Sequence, residues 1–181
     1  MSETRRAHAI TGRERREAHI EWLKLIEVSG PFLSVPVLTA EWPDLEPLDG
    51  AARDQLRRAH GSWQENPGQN RSGWIDYVLK DLLGLSDAIE RDGLDTFAFD
   101  VPMHEVTITP SFALTDPSSG QVKLFGLVSD GSPVARMLGS DWPATPADRL
   151  AELCRNRNVE LGLATDGRWW TLIWAPSGAS L

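Results

Sequence analysis

Cysteine is nearly absent from this chain: Cys154 stands alone in 181 residues. That excludes a disulfide framework and a cysteine-based zinc site. Long apolar runs are missing too. None approaches the ~18 residues of a membrane span, and no hydrophobic signal segment opens the chain, so the sequence reads as a cytoplasmic protein. Positive charge is in deficit, with a net charge of -8 that argues against a wholly basic nucleic-acid-binding surface. The deficit is uneven. Residues 1–20 carry five arginines against three glutamates, so +2, which leaves -10 for the rest. That basic start reads as a solvated helix beginning or as a phosphate contact. There is one tyrosine against eight tryptophans, which are large fixed anchors for a core or for a partner surface.

The composition that remains is that of an ordinary globular domain, long enough for one core with a helical extension. Thr11-x-x-Glu14 is a capping box that opens a helix to about Val28, with His19, Trp22, Leu23 and Ile26 on one stripe. Phe32–Leu38, broken by Pro36, reads as an edge or extended segment, and Glu41–Leu48 as a loop. Asp49 caps a second helix with Ala52, Leu56, Ala59 and Trp63 as its buried line. Asn66–Arg71 is a polar break and the best candidate boundary, so the expected division is a helical extension over 1–70 and an α/β domain over 71–181. Ser72 caps a third helix that stops at Gly84.

The second half turns to strands. Asp87–Leu94 reads as a loop, Thr96–Val101 as a strand, Val106–Leu114 as one strand carrying Pro110, Asp116–Gly120 as a turn, and Gln121–Val128 as the next strand. Ser129–Ala144 is a loop. Thr145, Pro146 and Asp148 start a helix whose buried face is Ala147, Leu150, Ala151 and Cys154. Val159–Ala164 and Trp169–Trp174 are then two strands, joined at Asp166-Gly167 by a type I′ turn, which needs positive φ at both central residues. Trp169 and Trp170 point to opposite faces. The fold class expected is α+β: N-terminal helices, then a mixed sheet flanked by helices.

Few residues carry chemistry outright. His8, His19, His60 and His104 lack metal-ligand spacing, with His104-Glu105 the one pair beside the strands. Ser34, Ser111 and Ser129 have no base partner or nucleophile elbow, and Gly126–Gly131 is not followed by the lysine of a phosphate loop. Cys154, on an apolar helix face, reads as a core residue. Lys123, Arg149, Arg155, Arg157 and Arg168 line a phosphate-facing surface if they converge. Otherwise they are scattered surface charge balanced by Glu152 and Glu160.

Helix, strands, helix, strand resembles the layout of the PD-(D/E)xK nuclease core. There, a Pro-Asp dipeptide on one strand and a Glu-x-Lys on the next bind Mg²⁺ and activate water. In this chain Pro110 is followed by Ser111, a poor anchor for a hard cation, and the next strand from Lys123 has no Glu-x-Lys. Nearby Asp116 and Lys123 do not restore the spacing, so the resemblance implies a degenerate site around Ser111, Asp116 and Lys123, with no metal. Leu161–Ile173 (LGLATDGRWWTLI) looks like the strand pair "G-L-V-T-[ND]-G-x-x-W-x-L" that closes the N-terminal nuclease-like domain of many restriction-modification proteins. With Trp22–Ser34 and Pro146–Arg155, it resembles the N-terminal region of type IIG adenine-specific DNA methyltransferases, which occur in phage-defence systems such as DISARM and in BREX-like systems. The Asn/Asp-Pro-Pro-Tyr/Phe motif of those enzymes is absent from these residues. The resemblance therefore implies a non-catalytic module, either an N-terminal piece of a longer enzyme or a stand-alone subunit. It would contact DNA or dock other subunits of a defence complex, with no cofactor of its own; S-adenosylmethionine would belong to a methyltransferase domain that follows. The alternatives are a Mg²⁺-dependent nuclease using displaced carboxylates, Glu105, Asp116 and Asp130, and an adaptor that binds protein but not DNA.

Overall fold

A computed structural model describes residues 12–28, 33–43, 48–137 and 142–176. The architecture is α+β, with N-terminal helices followed by a five-stranded mixed sheet packed against helices. The chain divides into two compact units, residues 1–53 and 54–181. Among the described residues no helix is long and apolar enough to cross a membrane.

In the first unit, α1 (Gly12–Leu23) buries His19 and Leu23, and His19 stacks on Trp22 at 5.7 Å. Thr11 of the expected capping box lies outside the described residues. The helix ends five residues before Val28. Leu25 N–H and Ile26 N–H bond the carbonyls of Trp22 and Leu23, three residues back, which tightens and closes the last turn. Val35–Glu41 is a helix, α2, where an extended segment was expected. Pro36 sits in its first turn behind an extended Ser34, a place where a fixed φ and a missing N–H cost nothing.

Helix α3 (Gly50–Glu65) begins as expected, with Asp49 Oδ1 accepting from Ala52 N–H at 2.7 Å. Trp63 is its buried anchor, and Ala52, Leu56 and Ala59 are half-buried. The polar stretch Asn66–Arg71 interrupts the helices at Asn66 alone, where the backbone is non-helical. It starts helix α4 (Pro67–Asp76), capped by Asn66 with Pro67 in the first turn, so Ser72 lies inside the helix. Asn70 Nδ2 donates to the Ser62 carbonyl at 2.7 Å and ties the two helices together. The expected stop at Gly84 is correct, since Gly84 has φ 67. Before it the chain winds as a π-helical segment, Tyr77–Leu82. Leu79 is fully buried, whereas Leu83 is 56% exposed.

The strands follow: β1 (Ile89–Glu90), β2 (Phe99–Val101), β3 (Val106–Ile108), β4 (Phe112–Thr115), β5 (Val122–Val128), β6 (Leu161–Thr165) and β7 (Trp170–Trp174), with α5 (Pro146–Arg157) between β5 and β6. The main sheet has the order β1-β4-β5-β6-β7, antiparallel except for the β5–β6 pair, and β2–β3 forms a separate ribbon. Three expectations change here. Val106–Leu114 is two strands in two sheets, because the buried Pro110 cannot donate to a ladder. The first part of Thr96–Val101 is a 3₁₀ turn, Leu94–Phe97. Asp87–Leu94 contains β1, which borrows an edge from β4.

Both faces of the sheet are apolar. Ala113, Phe125 and Ala164 face Leu150, Leu153 and Cys154 of α5. Phe112, Leu124, Leu161 and Leu163 face Ile75 and Leu79 on the other side. Gly162 admits α5 closely: a Cβ there would stand 3.0 Å from Leu150. The capping box of α5 is complete, Thr145 Oγ1 accepting from Asp148 N–H at 3.0 Å and Asp148 Oδ2 from Thr145 N–H at 3.1 Å. Thr145→Ala is expected to lower stability by about 1 kcal/mol, read as a shifted urea midpoint with an unchanged slope.

The turn between β6 and β7 is not type I′. Thr165 pairs with Trp170, so four residues form the loop, and only Gly167, at φ 90, has positive φ. Asp166 Oδ1 instead accepts from Arg168 N–H at 2.9 Å and Trp169 N–H at 2.7 Å, an Asx turn that removes the need for a second left-handed residue.

Candidate functional site

Because β5 and β6 run parallel and β4 runs against β5, the start of β4 and the ends of β5 and β6 meet at one edge. Ser111 is fixed there from two directions. Its N–H donates to the Gly126 carbonyl at 2.7 Å, and its Oγ accepts from Val128 N–H at 2.9 Å. Beside it lies a cleft of 360 Å³, lined by Arg71, Ser72, Arg91, Ser111, Val128 and Asp130 among others.

Two arginines enter the cleft from different elements. Arg71, on α4, donates to Asp130 Oδ1 at 2.7 Å and to the Ser129 carbonyl at 3.1 Å, so it caps the end of β5. Arg91, just after β1, donates to Asp76 Oδ1 and lies over the Phe112 ring at 5.6 Å. Asp76 also accepts from Lys80 at 3.2 Å, so one carboxylate faces two cations. Asp130 is fully exposed, whereas the Arg71 side chain is mostly covered.

Of the residues singled out in the sequence, Ser111 and Asp130 share this cleft. Asp116 and Lys123 do not. The register Thr115↔Val122 puts both at the far end of β5, and the five steps from Lys123 to Val128 cover about 16 Å. Ser111, Asp116 and Lys123 therefore form no single site, and Asp116 cannot share a metal ion with Asp130. Glu105, at φ 52, occupies a left-handed turn before β3. Among the described residues no group of three or more His, Cys, Asp or Glu could hold a metal ion.

The basic candidates are divided too. Arg149 lies in the first turns of α5, at the cleft end. It donates to the Trp142 carbonyl and covers the Trp142 ring at 5.2 Å, and that ring stacks on His104 at 5.2 Å. Arg168 follows β6 at the same end and lies over Trp169 at 5.6 Å. Arg155 pairs with Glu152 at 3.6 Å, and Arg157 donates to the carbonyls of Phe97 and Ala98. These two sit at the other end of α5, as does Lys123, which donates to Gln121 Oε1 at 2.6 Å. The five cations do not converge. Arg71 and Arg91 both stand in stretches whose composition reads as loop, and Ser72 reads as a helix cap, so none of the three signals a site. Starting α4 at Pro67 would have placed Arg71 and Ile75 on one face, four residues apart.

Two perturbed groups fix roles outside the cleft. Burial pushes the Cys154 thiol up to about 12, and its Sγ donates to the Leu161 carbonyl at 3.4 Å, so it is a core residue and not a nucleophile. Asp116 is held down to about 2 by the Ser118 hydroxyl and then by Ser118 N–H, at 2.6 and 2.8 Å. A lowered pKa means that its contribution to the β4–β5 turn is present above the unfolded value, 3.8, and is lost as pH falls through about 2. Ser118→Ala is expected to move the Asp116 carboxyl titration, followed by NMR, back towards 3.8.

Compared with family models, with curated proteins and with solved structures, the chain matches none.

Proposed function

We propose that this chain is a non-catalytic, DNA-contacting domain with a restriction-endonuclease-like (PD-(D/E)xK) core, serving an adenine-specific DNA methyltransferase of a restriction-type phage-defence system. The observation that carries this reading is the cleft at the start of β4 and the end of β5. Where the nuclease resemblance puts a pair of carboxylates for Mg²⁺, Ser111 stands with Arg71 and Arg91 beside it. Cations and hydroxyls suit a phosphate that is held rather than cleaved. Docking to other subunits of the defence complex belongs to the same proposal. Trp169, 53% exposed, and Leu172, 45% exposed, stand at edge strand β7 and offer apolar surface for it.

The test is fluorescence anisotropy with a labelled duplex, with and without Mg²⁺. Two or three phosphate contacts predict affinity falling roughly 10- to 40-fold between 50 and 200 mM salt, through counterion release. The expected duplex stays intact in Mg²⁺. Absence of binding, or binding indifferent to salt, would favour the protein-only adaptor, and metal-dependent cleavage would establish a nuclease and overturn the non-catalytic reading.

A further inference from the structure

We propose that the cleft is a metal-independent phosphate-binding site formed by Arg71, Arg91, Ser72 and Ser111, with the Asp130 carboxylate as the built-in occupant that the phosphate displaces. It rests on the DNA-contacting reading and gives that contact its place and chemistry.

The charges support an exchange. In the ion pairs at the cleft, three cations, Arg71, Arg91 and Lys80, meet two carboxylates, Asp76 and Asp130. When Asp130 turns out to solvent, Arg71 is left without a carboxylate partner in the cleft. Asp130 can do so at little cost, because its side chain is fully exposed and, among the described residues, its one ion pair is with Arg71. Arg71 is held in place independently, by its bond to the Ser129 carbonyl. Its guanidinium is thus aimed at the cleft, and a phosphate offers it a paired, two-oxygen acceptor in place of one exposed carboxylate oxygen. Ser111 Oγ already accepts from Val128 N–H, which leaves its hydroxyl hydrogen to donate. Ser72, next to Arg71 on α4, adds a second hydroxyl. At 360 Å³ the cleft falls among small-ligand sites, which span ~300–1,000 Å³.

Inorganic phosphate, by calorimetric titration, and a labelled duplex, by anisotropy, are the ligands of the test, each with EDTA present. Asp130→Asn is expected to tighten both by about two- to fivefold, the value of an exposed ion pair. The same loss of charge at Glu160, at the other end of β6, leaves both unchanged. Arg71→Gln and Arg91→Gln are each expected to weaken both by roughly tenfold or more. Phosphate bound only when Mg²⁺ is added, or affinities untouched by Asp130→Asn, overturns the proposal. Duplex binding that ignores all three variants overturns it while leaving DNA contact standing. Phosphate binding that follows the variants, in a protein that binds no duplex, supports the cleft and removes the DNA reading.

Discussion

Gly126→Ala is expected to cost about 3 kcal/mol or more, the upper range for overpacking a closed core. Gly126 lies mid-strand in β5 and pairs directly with Phe112 of β4. A Cβ added there would come within 2.1–2.3 Å of three atoms of the Phe112 ring. The ring cannot retreat, because Phe112 is fully buried against Ile75 and Leu79. It lies across the glycine and covers backbone that would otherwise be bare, a recognised way to tolerate glycine in a sheet. Chemical unfolding gives the magnitude. A double variant identifies the cause: Phe112→Leu removes the ring tip, so Gly126→Ala should cost far less in that background, with a coupling of more than about 1 kcal/mol. A Gly126→Ala protein as stable as the parent would mean that the ring does not lie where the structure places it.

This contact also shows where sequence reading stopped. The run from Gln121 to Val128 is legible as a strand from its composition, and a glycine within it gives no hint of which ring it receives. Local signals transferred well where one residue type suffices. The α5 capping box, the Gly84 stop and the Asp116–Gly120 turn, with Gly120 at φ 67, all appear as read. Proline was the recurrent source of error. Pro36 and Pro67 read as breaks in the sequence, yet each opens a helix, and Pro110, which reads as an interruption within one strand, separates two sheets. The difference is set by the preceding residue. An extended Ser34, or an Asn66 able to accept from Gln69 N–H, turns the missing donor into a helix start. The cleft is hidden in the sequence for the same reason, since Arg71 stands in a stretch with the composition of a loop. Where cations point is a property of tertiary packing, and spacing along the chain could not reveal that Arg157 serves the carbonyls of Phe97 and Ala98.

Loss of Trp74 is expected to be at least as costly as the change at Gly126. Its indole N–H donates to the Gly167 carbonyl at 2.7 Å, a buried bond from α4 to the turn between β6 and β7. The ring stacks on Trp63 at 5.8 Å and on Tyr77 at 6.0 Å, with His60 edge-on at 5.3 Å. Trp74→Ala is expected to cost about 3–5 kcal/mol through the cavity alone. Trp74→Phe is more informative, because it keeps an aromatic ring and deletes the donor. An unpaired buried carbonyl costs about 1–3 kcal/mol, and the loss should concentrate at the turn, seen as faster amide exchange at Thr171 and Ile173 than in α5. Gly167 reaches further than this bond. A Cβ on it would meet Trp63, Trp74 and the Cγ of Arg71, all at 3.4 Å, so the turn packs against the stem of the arginine that faces the cleft. Trp74→Phe should therefore weaken phosphate binding along with stability, although Trp74 touches no ligand. Stability lost with phosphate affinity intact would show that the Ser129 carbonyl alone is enough to hold Arg71 in position.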